Sequence, residues 1–204
     1  HLAKFDKDSF NRWEAFQRLA VRHIIEAATN FQKGSNYAFP NDILEVFEKA
    51  LDLQTEDPAM TSEMITLPPL SYLCQFMDPI EPDALSISRI KLRKFLAANL
   101  ESRFIETIRL NDDLENFSNA PVAVGRRSLK NNCLSYLLEL EKIENFDECL
   151  NRLKKANNMT DAMAALNGLS NFDYPQRKEG LTWFRNKWKR EELVMDKWFT
   201  VQAL

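Results

Sequence analysis

Residues 83–110 read DALSISRIKLRKFLAANLESRFIETIRL and carry the strongest structural signal in the chain. Apolar side chains recur there every four residues, at Leu92, Leu96, Leu100, Phe104 and Ile108. This spacing places them on one face of an α-helix, with charged side chains on the other faces. The preceding segment 78–82 contains two prolines, each of which disfavours helical geometry in the residue before it. We therefore predict one long helix over this stretch.

Helix signals continue in both directions from this segment. Only 4 of the 204 residues are glycine, and good helix formers such as Leu, Ala, Glu and Lys are abundant. Apolar periodicity predicts further helices at about 9–31, 41–51, 58–65, 69–77, 122–141, 146–156, 160–170, 175–190 and from 192 onward. The polar segment 111–120 is predicted to be an exposed loop. The sequence thus predicts an all-α fold of about ten helices, stacked as αα-hairpins in a curved, HEAT-like array that forms a single domain over residues 1–204.

Composition argues against several classes of function. The 30 acidic and 27 basic residues are mixed along the chain and give a formal net charge of -3, which disfavours nucleic-acid binding. No apolar stretch approaches the roughly 20 residues that span a bilayer, so no membrane partner is expected. Cys74, Cys133 and Cys149 lie in apolar helical contexts. We expect reduced core thiols and a cytoplasmic location.

The sequence contains no recognisable catalytic constellation. Its two histidines are His1 and His23, and the residues after His23 do not complete a His-Glu-x-x-His zinc motif. The four glycines are too scattered to form a phosphate-binding loop. His23 is therefore interpreted as structural. We expect no catalytic, cofactor-binding or metal-binding residue within this chain.

Aromatic and basic side chains alternate near the end of the chain. Trp183 and Trp188 are interspersed with Arg185 and Lys187, an arrangement that resembles a surface for single-stranded nucleic acid. Phe184 and Trp188, however, fall on one helical stripe, and the cations fall on the opposite face. Core packing of the aromatic stripe is the favoured interpretation.

Three strings set charged or amide groups beside large apolar ones at helix starts. They are Phe10-Asn11-Arg12-Trp13-Glu14-Ala15, Asn157-Asn158-Met159-Thr160-Asp161-Ala162-Met163 and Leu193-Val194-Met195-Asp196-Lys197-Trp198-Phe199. Their polar groups are predicted to be partly buried and hydrogen-bonded to helix caps and neighbouring helices.

Together with Asp57-Pro58-Ala59, Leu67-Pro68 and the segment 125–134 (GRRSLKNNCL), these strings resemble the C-terminal helical domain of bacterial aminopeptidase N, a zinc-dependent, thermolysin-like metallopeptidase. The strings follow the family's order over essentially the whole chain. The residues that carry the resemblance, all expected to be structural, are Arg12, Trp13, Glu14, Asn158, Asp161, Asp196 and Trp198. Phe16, Leu70 and Ala162 differ from the residues that the family usually has at these positions. These differences bear on local packing more than on the assignment to the family.

The resemblance implies an enzyme that removes N-terminal residues from peptides. Its zinc and its His-Glu-x-x-His helix would lie in an upstream domain, so these residues alone are expected to be inactive. Their implied role is to pack on the catalytic domain of the parent chain and to help enclose the active-site chamber that receives peptide substrates. Asn158 and Asp161 are candidates to face that chamber, although helix capping is favoured for both.

The two ends of the chain give a further expectation. The chain begins at His1, and the helix that carries Val194, Trp198 and Val201 has no stop signal before Leu204. We therefore expect a piece of a longer protein, with apolar surface exposed at this end. The alternative is a free-standing helical-repeat module that binds another protein, which predicts a gene that ends near Leu204.

Overall fold

A computed structural model describes Asp6, residues 8–112 and residues 117–203. Within these residues all regular structure is helical, which confirms the predicted all-α fold. Ten α-helices lie in the described part of the chain: α1 (Ser9–Gln32), α2 (Asn41–Leu51), α3 (Pro58–Ile65), α4 (Leu70–Leu73), α5 (Pro82–Leu110), α6 (Pro121–Leu138), α7 (Ile143–Lys155), α8 (Met159–Ser170), α9 (Pro175–Trp188) and α10 (Glu192–Ala203). A short 3-10 helix, Cys74–Phe76, follows α4.

Helix starts follow local capping chemistry. The side chains of Asp8, Asp57 and Asn158 accept hydrogen bonds from the backbone N–H three residues later, at the starts of α1, α3 and α8. Each bond satisfies a backbone donor that has no partner within its helix. Proline occupies the first turn of α3, α5, α6 and α9, where its missing N–H costs no helical hydrogen bond.

Helix α5 covers the predicted long segment and buries its apolar stripe. Its backbone leaves helical geometry at Leu100, where φ is -116° and ψ is 15°, and the helix is kinked there. The side-chain amide of Asn99 donates to the carbonyl oxygen of Phe95 at 2.8 Å. Such a bond competes with the backbone ladder and can bend a helix, so it is one local contribution to a kink that involves neither Pro nor Gly.

Successive helices stack on one another, and α6 is the central element. It packs against α3, α5, α7 and α8, while α1 packs on α5 and α3. Helices α7 and α8 form a close pair; α9 packs on both, and α10 packs on α9 and α8. Buried side chains form one continuous cluster that extends from Phe16 on α1 to Phe184 on α9. The predicted stacked helical array is confirmed.

Two boundaries differ from those predicted. Helix α6 ends at Leu138, and α7 begins at Ile143, because the chain turns between them and Glu141 adopts a φ of 53°. Asn111 was assigned to an exposed loop, and this is wrong: it is 3% exposed. Its amide donates to Gln54 Oε1 at 3.2 Å and to Thr107 O at 2.9 Å. Residues 113–116 of the predicted loop lie outside the described residues, whereas residues 117–120 are exposed.

Candidate functional site

The seven residues that carry the resemblance do not converge on one site. Trp13 and Glu14 line a groove of about 740 Å³ beside α1, Asp161 lines a cleft of about 360 Å³ beside α6, and Trp198 lines a cleft of about 460 Å³ beside α9. These three cavities share no lining residue. The residues that carry the resemblance therefore lie on three separate surfaces.

The first surface, here named the α1–α4 groove, is mainly apolar. Its walls are the side chains of Trp13, Val21, Pro69, Tyr72 and Phe76. Tyr72 is 40% exposed and Phe76 is 48% exposed, and their rings meet edge to face. Isolated exposed apolar residues are normal on a protein surface, but a contiguous aromatic groove is typical of a binding surface.

Charged groups form the rim of the α1–α4 groove. Arg18 pairs with Glu14 at 2.6 Å, and Arg22 pairs with Asp42 at 3.0 Å. Asp42 also accepts from His23, whose ring is 2% exposed and whose Nε2 lies 3.0 Å from Oδ1. His23 thus joins α1 to the start of α2, which is a structural role.

The second surface, the α6–α8 cleft, contains a nearly buried cation. The side chain of Lys130 is 8% exposed, and its Nζ lies 3.1 Å from Asp161 Oδ2 and 3.4 Å from Asp112 Oδ1. Asp161 also accepts hydrogen bonds from the amides of Asn131 and Asn158, at 2.8 and 3.0 Å. Asn158 in turn caps α8 by accepting from Asp161 N at 2.9 Å. The string at residues 157–163 therefore forms one side of an interhelical polar network.

A bidentate ion pair extends this network to α7. Both terminal nitrogens of Arg152 donate to the Asp112 carboxylate at 2.9 Å, and Arg152 Nε lies 2.8 Å from Glu148 Oε1. Burial alone would raise the pKa of the Asp112 carboxyl, but Arg152 and Lys130 together hold it below its usual value. Asp112, Glu148 and Asp161 are each paired with a cation. None of these three carboxylates is therefore poised as a free general base.

Sequence reasoning identified only Asp161 and Asn158 of this network. Lys130 lies 31 residues before Asp161, and Asp112 lies 40 residues before Arg152. Partners at such separations come together only through helix packing. The available signal was the segment 125–134, which contains both Lys130 and Asn131 and contributed to the resemblance.

The third surface, the α9–α10 cleft, is basic. Arg177, Lys178 and Arg185 of α9 line it, and Trp198 of α10 forms the facing wall. The indole N–H of Trp198 donates to Leu181 O at 2.9 Å, which fixes the ring orientation.

The aromatic stripe of α9 packs inward, and its cations face outward. Phe184 is fully buried and Trp188 is half-buried, whereas Arg185 and Lys187 are exposed. The side chains of α10 are less covered: Leu193 is 80% exposed, and Phe199 is 61% exposed. The helix face with Val194, Trp198 and Val201 is partly buried. The expected exposed apolar surface therefore lies mainly at Leu193 and Phe199.

Neither thiols nor metal-ligand clusters suggest redox or metal chemistry. All three cysteines are free, and Cys133 and Cys149 are buried. Burial raises the pKa of the Cys133 thiol above its usual value and that of Cys149 to about 12. Across residues 8–112 and 117–203 no group of three His, Cys, Asp or Glu side chains is placed to hold a metal ion. Nor is any helix in those ranges long and apolar enough to cross a membrane.

Comparison with known proteins gives consistent matches over the whole chain. Aminopeptidase N of Escherichia coli (strain K12) is 30% identical over 202 residues, which cover 99% of this chain and 23% of the relative. Aminopeptidase N of Haemophilus influenzae is 30% identical over 205 residues, again 99% of this chain and 23% of the relative. The chain therefore spans about a quarter of the length of these relatives.

A solved structure and a family model support the same kinship. The crystal structure of Legionella pneumophila aminopeptidase A in complex with aspartic acid has a TM-score of 0.83 and 25% sequence identity, and the match covers 100% of this chain and 24% of that chain. The predicted resemblance to aminopeptidase N is confirmed. The family model described as "Domain of unknown function (DUF3458_C) ARM repeats" matches residues 1–204, and the chain therefore belongs to this family of helical-repeat domains.

Proposed function

We propose that this chain is the non-catalytic helical region of a zinc aminopeptidase that removes N-terminal residues from peptides. The observation that carries the proposal is the extent of the matches: they include nearly all of this chain but only 23% of each aminopeptidase N. The donor set of the described residues does not fit a zinc site. We therefore assign the zinc, and with it the chemistry, to another part of the parent polypeptide.

In this proposal the helical region packs against the catalytic domain and helps to enclose the chamber over the active site. Its effects on catalysis would be indirect, through access, size selection of peptides and stability. The α1–α4 groove is the best candidate for the docking surface, because its exposed aromatic walls would be desolvated on contact. The free thiols of the chain favour a cytoplasmic location for the enzyme.

The first experiment reads the chain's own gene and assays its product. We expect an upstream His-Glu-x-x-His helix in the same reading frame, and zinc-dependent release of N-terminal residues from a chromogenic aminoacyl substrate. The 204-residue chain alone, supplied with zinc, should give no turnover above a blank. A reading frame that ends near Leu204 without such a helix would instead favour the free-standing binding module.

The second experiment tests docking within the full-length enzyme. Tyr72→Glu combined with Phe76→Glu places two charges on the wall of the α1–α4 groove, and we expect the helical region to become separately susceptible to proteolysis, with reduced activity. Val122→Glu combined with Val124→Glu is the control matched in charge, because these residues are 56% and 48% exposed on α6, away from the groove. Equal behaviour of the double variant and the control would show that the groove is not the docking surface.

A further inference from the structure

The α9–α10 cleft concentrates positive charge in a chain that is acidic overall. Residues 173–190 contain six basic and two acidic side chains, a net charge of +4, whereas the whole chain carries -3. Several cations elsewhere are paired with carboxylates, as in the interhelical pairs of Arg93 with Glu139 and Arg152 with Asp112. The charge of this cleft is therefore a local feature and does not follow from composition.

The cations that line the cleft have no acidic partner among the described residues. Arg177, Lys178 and Arg185 make no ion pair with a described side chain, and the guanidinium of Arg185 lies 6.0 Å from the ring centroid of Trp198. Asp173 lines the same cavity but lies beyond ion-pair distance of these groups. The three cations are thus available to a ligand that carries negative charge.

Two apolar side chains, Leu181 and Trp198, lie between the cations, and the rest of the lining is Asp173, Tyr174, Thr182, Asn186 and Gln202. Leu181 lies one turn from both Arg177 and Arg185, so it forms a floor between the two cations. Trp198 faces this floor and is held by the hydrogen bond from its indole N–H to Leu181 O. The cavity of about 460 Å³ therefore offers cationic ends and an apolar centre.

The spacing of these groups matches the side-chain repeat of an extended peptide. Arg177 and Arg185 are eight residues apart on α9, which corresponds to ~12 Å along the helix axis. In an extended peptide, side chains at positions 1, 3 and 5 point to one side, and positions 1 and 5 are separated by ~13 Å. Acidic side chains at positions 1 and 5 would reach the two arginines, and an apolar side chain at position 3 would meet Leu181 and Trp198.

We propose that the α9–α10 cleft is a binding site for an extended peptide segment with two acidic side chains four positions apart and an apolar side chain between them. Lys178 contributes a third cation beside the first acidic side chain. Binding is selective for carboxylates, because the cations act at defined positions around the apolar floor. All residues that line the cleft lie between Asp173 and Gln202 of this chain, so peptide binding is testable in the 204-residue chain.

The test measures binding of a fluorescently labelled peptide, acetyl-Glu-Ser-Leu-Ser-Glu-amide, by fluorescence polarisation at low and at physiological salt. We expect saturable binding that weakens with salt. The isosteric peptide with Gln in place of both Glu should bind at least tenfold more weakly, and the peptide with Ser in place of Leu should bind several-fold more weakly.

Variants separate the cleft from general charge. Arg177→Gln combined with Arg185→Gln should weaken binding at least tenfold. Lys189→Gln combined with Arg190→Gln removes the same charge from exposed positions that do not line the cavity, and it should have little effect. Circular dichroism checks that both variants keep the helical content of the parent chain.

Several outcomes would overturn the proposal. One is equal loss of binding in the two double variants, which would indicate attraction by the whole basic helix. Another is that the Gln peptide, or a short polyphosphate with the same charge as the Glu peptide, binds as tightly as the Glu peptide does. Absence of saturable binding up to millimolar peptide would also refute it.

Discussion

Replacing Asp161 by Asn tests whether the α6–α8 network stabilises the fold. Asn has nearly the shape of Asp and keeps the backbone N–H that Asn158 caps. The substitution removes the charge and one of the two side-chain oxygens that accept hydrogen bonds from Lys130, Asn131 and Asn158. Lys130, whose side chain is 8% exposed, then loses the closer of its two carboxylates and keeps only Asp112, at 3.4 Å.

The expected magnitude follows from the burial of this pair. Removing one partner of a fully buried ion pair costs about 3 to 5 kcal/mol. Because Asp112 remains and its side chain is 34% exposed, we expect Asp161→Asn to lower the free energy of unfolding by about 2 to 3 kcal/mol. For a domain of this size the corresponding decrease in Tm is about 5 to 10 °C.

The assay is urea unfolding followed by circular dichroism, with the slope m checked for constancy. Asp196→Asn is the matched control, since Asp196 belongs to another of the three strings but is exposed; it should stay within about 0.5 kcal/mol of the parent chain. Lys130→Met in the Asp161→Asn background should recover part of the loss, because it removes the uncompensated charge. If Asp161→Asn unfolds at the same urea concentration as Asp196→Asn, the network does not stabilise the fold.

Three further predictions concern packing, pH and thiol reactivity. Gly125→Ala should destabilise the chain by about 1 to 3 kcal/mol, since an added Cβ would lie 2.8 Å from a backbone nitrogen of α3; Gly168→Ala, which meets only the end of a flexible leucine side chain, should cost less in the same urea assay. Arg152→Met should lower stability most above about pH 5, and the difference from the parent chain should shrink below about pH 4: the lowered pKa of Asp112 stabilises the fold above the unfolded-state pKa and is lost as the carboxyl protonates. In the native chain an aromatic disulfide reagent should titrate only Cys74 rapidly, and all three thiols should react in urea, because the other two are buried.

Local signals in the sequence were sufficient to predict the helices. The four-residue apolar spacing in α5 predicted which face is buried, and Asp57-Pro58 predicted the start of α3 because both its cap and its first turn are local chemistry. The end of a helix can also depend on backbone geometry, as at Glu141 with its positive φ. There the predicted end of α6 and the predicted start of α7 each lie three residues beyond the observed ones. The kink at Leu100 was also missed, because an amide that bonds to the preceding turn leaves no trace in the hydrophobic pattern.

The candidate surfaces were less predictable because they depend on tertiary contacts. Asn111 was read as exposed from its polar neighbours, yet its amide is buried against Gln54, 57 residues away. The partners of Asp161 could not be inferred for the same reason. Polarity in a sequence indicates that a group needs hydrogen bonds, but it does not say whether water or another helix supplies them.

The positions of the three strings suggest why they are recognisable in a region for which the sequence predicts no catalytic residue. Asp161 joins α8 to α6 through Lys130, and Trp198 joins α10 to α9 through Leu181. Gln17, just after the first string, donates from α1 to Thr66 O at the end of α3. Each string therefore lies at or beside a joint between helices, where a polar group must meet a particular partner. Substitution at such a joint leaves a buried group unsatisfied, whereas substitution on the apolar stripes is tolerated when volume is kept. Since each joint also borders one of the three clefts, the same residues that fix the stacking of helices fix the shape of the surfaces available to partners.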